Sequence, residues 1–61
     1  MWDKMTTEER ANAVETAAKA FEALGEGSGR DGEMFREYAE KLWAGAEDIR
    51  SGETSAPPQL D

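Results

Sequence analysis

Four glycines fall within the eight residues Gly25-Glu26-Gly27-Ser28-Gly29-Arg30-Asp31-Gly32, and long proline-free stretches rich in helix formers lie on either side. Ordering that octet into a helix or strand is costly, because glycine loses more backbone freedom than any other residue. The octet therefore reads as a connector. Two amphipathic helices joined by a short connector fold back antiparallel, so the expected architecture is all-α, a two-helix hairpin.

The start of the first helix is marked by Thr6-Thr7-Glu8-Glu9, a capping box in which Thr6 accepts from the Glu9 amide and the Glu9 side chain reaches back. From Thr7 to Leu24 the apolar residues Ala11, Val14, Ala17, Ala18, Phe21 and Leu24 recur at three- and four-residue steps. That spacing puts them on one face. Gly25 then offers a left-handed C-terminal cap.

A second helix is expected from about Gly32 to Arg50, capped by Ser28 or Asp31, with Phe35, Tyr38, Leu42, Ala46 and Ile49 as its buried seam and Trp43 at the edge. Gly45 weakens it by roughly 1 kcal/mol relative to alanine, and a break there would make three helices. Gly52 marks its end. Residues 1–52 thus form one small helical domain, with Trp2 and Met5 closing one end, and residues 53–61 form an acidic, extended or flexible tail around Pro57-Pro58.

At 61 residues the chain is near the size at which burial barely offsets chain entropy, which favours a partner or a weak homodimer alongside the monomer. There is no cysteine, so neither disulfides nor thiolate metal sites are available, and a reducing interior is expected. Met1-Trp2-Asp3-Lys4 leads into polar sequence rather than an apolar leader, which points to the cytoplasm. A formal charge of −7 repels nucleic acid and anionic lipid. It suits a basic protein surface.

Catalysis has few groups to work with. Without histidine, nothing activates Ser28, Ser51 or Ser55, and a hairpin has little concave surface in which to separate the pKa values of two carboxylates. No enzymatic activity and no cofactor are expected. Gly27-Ser28-Gly29-Arg30-Asp31-Gly32 matches the G-x-G-x-x-G spelling of nucleotide-binding turns, but that motif needs a preceding strand, and here a helix precedes it. Glu33/Glu37/Glu40 and Glu47/Asp48 offer oxygen ligands without the spaced loop donors of a dedicated cation site, so no metal site is assigned.

The conspicuous pattern is two rows of glutamate at seven-residue spacing, Glu8/Glu15/Glu22 and Glu33/Glu40/Glu47. Seven residues advance a helix by roughly 10.5 Å and almost two turns, so each row keeps to one face. Some of this charge has local partners at helical spacing: Glu15 with Lys19, Glu37 with Lys41, Arg36 with Glu33 or Glu40, Arg50 with Glu47. Glu8, Glu22, Glu26, Asp31, Asp48 and Glu53 have none. The bland reading is a solvated acidic surface; the sharper one is a recognition surface carried by the six row glutamates, with Trp43 and Tyr38 supplying shape, since tryptophan is enriched at binding hot spots.

In its acidic rows, its lack of catalytic groups and its short helical chain, the protein resembles small phage-encoded inhibitors, in particular anti-CRISPR proteins that act as DNA mimics. The resemblance implies a cytoplasmic protein that occupies the basic groove of a nucleic-acid-binding complex, such as a CRISPR effector, and excludes its DNA. The mimicry would then be carried by Glu8, Glu15, Glu22, Glu33, Glu40 and Glu47, at a spacing wider than that of duplex phosphates. A different class of function also fits: a hairpin subunit, antitoxin-like, that dimerises through Phe35, Tyr38, Leu42 and Trp43.

Overall fold

A computed structural model describes residues 1–27 and 29–59 of the chain; the alternative cap Ser28 and the last two tail residues lie outside the described residues. Two helices make up most of the molecule: α1, Thr7–Gly27, and α2, Gly32–Ser51. Short 3-10 turns at Trp2–Lys4 and Gly29–Asp31 precede them. The expected capping box opens α1, with the Thr6 amide donating to Glu9 Oε1 at 2.8 Å and the Glu9 amide donating to Thr6 Oγ1 at 3.1 Å.

The helices run antiparallel: the start of α2 packs beside the end of α1, and the end of α2 beside the start of α1. Near the connector, Phe21 stacks on Phe35 with centroids 5.9 Å apart and meets Tyr38 edge-on at 5.6 Å. At the other end Arg50 reaches Glu8. Between these points Ala11, Val14 and Ala18 of α1 pack on Leu42, Ala46 and Ile49 of α2 as one buried cluster. Three of the six are alanines, so the helix axes approach closely and each burial is modest. Trp2, Ala17, Phe21 and Trp43 cover the edges of this thin core.

Glycine works differently here from the sequence expectation. Gly25 does not cap α1, which continues to Gly27. It is buried where the helices converge, and a methyl group there would lie 3.1 Å from both Arg36 Cγ and the Gly32 carbonyl oxygen. A methyl on Gly32 would run into the Gly25 carbonyl in turn. The pair is small because two backbones meet, so packing outweighs the tendency of glycine to end a helix. Asp31 does occupy the N-cap position of α2, but its side chain makes no capping hydrogen bond.

Gly45 does not break α2 either. The helix is continuous from Gly32 to Ser51, and the missing side chain at position 45 leaves room for Pro58 of the tail; a Cβ there would lie 2.9 Å from Pro58 Cβ. Gly52 ends α2 as expected, with φ 86°, a left-handed conformation in which its amide returns to Asp48 and Ile49. The described tail is irregular, as expected, but it is seated on the hairpin. The Trp2 indole Nε1 donates to the Ser55 carbonyl at 2.7 Å.

Candidate functional site

Two flanks run along the seam between α1 and α2, and they differ in character. On one, Arg10 of α1 and Gly45 of α2 face the N-terminal turn and the tail. The Arg10 guanidinium donates to the Trp2 carbonyl at 3.1 Å and the Asp3 carbonyl at 3.3 Å, and it stacks over the Trp2 ring at 5.7 Å. This flank is closed.

The other flank carries the charge. Glu8, Asn12, Glu15, Glu22 and Glu26 follow one another on α1 at three-, four- and seven-residue steps, and Arg36, Glu40, Trp43 and Arg50 do so on α2. At the end away from the connector, Arg50 Nη2 donates to Asn12 Oδ1 at 2.8 Å, to Glu8 Oε1 at 3.1 Å and to Glu15 Oε1 at 3.2 Å. Nη1 binds the second Glu15 oxygen. One guanidinium thus gathers two carboxylates and an amide. The hydrogen bond from Arg50 is the main cause that holds the Glu15 carboxyl below its ordinary value, opposed by partial burial.

Toward the connector the same flank opens into a concavity of about 270 Å³ lined by Glu22, Glu26, Arg36, Ala39, Glu40 and Trp43. Three carboxylates and one guanidinium surround a half-buried indole whose other side packs on the core. Among the described residues the ion pairs are those of Arg50 with Glu8 and Glu15, so the rim carboxylates Glu22, Glu26 and Glu40 have no internal counter-ion in contact. None of the expected pairs of Lys19 with Glu15, Lys41 with Glu37, Arg36 with Glu33 or Glu40, and Arg50 with Glu47 closes to an ion-pair contact among the described residues, although the charge of Lys19 adds a small part to the lowering of the Glu15 pKa. Arg50 chooses the opposite helix because three acceptors converge there, whereas an exposed pair within one helix gains too little to hold two long side chains in place.

The six row glutamates therefore separate into three groups. Glu8 and Glu15 are committed to Arg50, which corrects the expectation that Glu8 is unpartnered. Glu22 and Glu40 come together at the concavity beside Trp43, while Glu33 and Glu47 are exposed and belong to neither cluster. Tyr38 packs edge-on against Phe21, not at this site. Glu26 and Arg36 line the concavity without having been singled out by the seven-residue spacing. Folding the sequence about the glycine connector is the signal that finds them, because it sets 22 and 26 opposite 36 to 40.

No three metal-ligating side chains converge among the described residues, and no described helix is long and apolar enough to cross a membrane. Comparison with protein-family models, with curated proteins and with solved structures finds no match to this chain.

Proposed function

We propose that this protein is a non-catalytic binding protein whose open acidic flank docks on a basic, nucleic-acid-binding surface of another protein and blocks it. The observation that supports this is the concavity at Trp43, where, among the described residues, three carboxylates, Glu22, Glu26 and Glu40, outnumber one guanidinium, Arg36, and none of the three is in ion-pair contact with a cation. An arginine or lysine of the partner would lay its cation on the indole face and its donors on the rim carboxylates, the geometry of a cation–π contact reinforced by charge. Arg36 gives the site a positive corner and so a preferred orientation. The DNA-mimic inhibitors that the chain resembles act on this class of surface, and a CRISPR effector groove is the partner class that resemblance names.

The structure favours this reading over the dimerising subunit for a specific reason. Leu42 and Ile49 are spent within the chain's own hairpin, and Phe21 holds Phe35 in a stack and Tyr38 edge-on. Of the four residues a dimer seam would use, Trp43 is the one left facing an open concavity, and carboxylates surround it.

The test is capture of a basic nucleic-acid-binding protein from cytosol by the immobilised chain at low and high salt, followed by competition with DNA. Attraction between exposed charges is screened beyond roughly 8 Å at physiological ionic strength, so capture should fall steeply as salt rises. Glu22→Lys with Glu40→Lys should abolish capture and leave the helical circular dichroism intact. Retention that ignores both salt and charge reversal would refute the proposal.

A further inference from the structure

The closed flank holds an arrangement that the acidic flank does not need. Trp2 is pinned by contacts that do not involve the tail: Arg10 donates to its carbonyl and stacks on its ring, and the Met5 amide also donates to that carbonyl at 3.1 Å. Its indole N–H is therefore presented at a defined place, and the acceptor it meets is the backbone carbonyl of Ser55, 2.7 Å away. Beside it, Pro58 occupies the notch left by Gly45, where any side chain would displace it.

These are the elements by which proline-rich segments are read. An extended proline segment makes no internal hydrogen bonds, so its carbonyls are available to an indole donor, and its rings fit a groove whose floor lacks a side chain. Nothing in the contact depends on the side chain of residue 55. The Glu53 amide, which donates to the Asp48 carbonyl at 3.0 Å, closes the helix end; from Thr54 onward, the tail's hydrogen bonds to the rest of the hairpin among the described residues come down to this one from Trp2, since the bond from the Ala56 amide to Thr54 stays within the tail. A segment held by one hydrogen bond and one ring is exchangeable.

We propose that the groove between Trp2 and Gly45 is a binding site for proline-rich segments of other proteins, and that residues 55–58 are its built-in competitor. The tail is tethered about six residues from Gly52, which sets its effective concentration on the order of millimolar. An external peptide therefore meets an occupied groove, and its apparent affinity for the intact chain falls by the fraction of time the groove is open.

The test is a titration followed by the indole N–H resonance of Trp2. The ligand is a synthetic peptide of residues 53–59, with the same peptide carrying serine at both proline positions as control. The hosts are the intact chain and the full-length Pro57→Ser, Pro58→Ser variant. The proline peptide should shift the Trp2 resonance saturably in the variant and bind the intact chain ~10-fold more weakly. The serine peptide should do neither. Gly45→Ala, which raises helix propensity and so keeps α2 folded, should remove binding in both hosts. Trp2→Phe should weaken it several-fold while keeping the ring, read then by the amide resonance of Gly45. Tail exchange between two copies of the intact chain at high concentration would support the site. A Trp2 resonance in the variant that ignores the proline peptide, or responds equally to the serine peptide, would overturn it.

Discussion

The two flanks of the hairpin rest on the same thin core yet are finished in opposite ways. The tail flank satisfies itself: the Trp2 N–H has its acceptor, the notch at Gly45 has its proline, and Arg10 is engaged with backbone carbonyls and a ring. The acidic flank is satisfied only at one end, where Arg50 gathers Glu8, Asn12 and Glu15, and it is open at the other, around Trp43. The carboxylates without an ion-pair contact on this flank gather in its connector half. There the aromatic stack of Phe21, Phe35 and Tyr38 bears the packing instead.

The largest effect should come from removing the core that both flanks share. Ile49 is 2% exposed, and Ile49→Ala should cost ~2–4 kcal/mol, enough to leave a 61-residue hairpin largely unfolded at room temperature, as read by circular dichroism. Both flanks should disappear together.

The sharpest comparison sets the two tryptophans against each other. Trp2→Ala removes a hydrogen bond, a cation–π stack and the partner of the tail, and should destabilise by ~2–3 kcal/mol. Trp43→Ala removes one wall of an open concavity, so the loss of stability should be smaller, about 1–2 kcal/mol, while capture of a basic partner is lost. Equal melting temperatures for the two variants would show that the flanks are not differentiated as described.

Next in size is the Arg50 clasp. Arg50→Gln leaves Glu8 and Glu15 facing each other without a cation, and should lower the melting temperature modestly at low salt and less at high salt, since these side chains are partly solvated. Partner capture, which depends on the other end of the flank, should be retained.

The smallest effect is the pH dependence of Glu15. Its folded pKa lies below its ordinary value of 4.5, so its stabilising interaction is fully present above that value and fades as the pH falls through the lower folded one. The difference in melting temperature between the parent and Glu15→Gln should therefore hold at neutral pH and narrow as the pH is taken below 4.5. A gap that persists in acid would show that the clasp does not depend on the Glu15 charge.

Much of this fold was legible in the sequence because it depends on local pattern. The capping box at Thr6 and Glu9, most of both apolar faces and the cap at Gly52 each follow from residues only a few positions apart. The glycine octet is not the connector its composition suggests, since α1 takes in residues 25–27, Gly29–Asp31 form a 3-10 turn and α2 begins at Gly32, and Leu24 of the α1 face stays exposed. The glycines at 25 and 45 misled for the opposite reason. What a missing side chain does depends on what lies next to it, and their neighbours are Gly32 and Pro58, far along the chain.

The same division holds for the candidate site. Composition and spacing alone determined that the chain is strongly acidic, helical and without histidine or cysteine, and that its glutamates recur on helix faces. They did not determine which of those glutamates meet a cation. That was decided by the antiparallel register, which brings Arg50 to Glu8 and Glu15 and leaves Glu22 and Glu40 together beside Trp43. Periodicity is a property of one helix, whereas neutralisation is a property of two helices brought side by side.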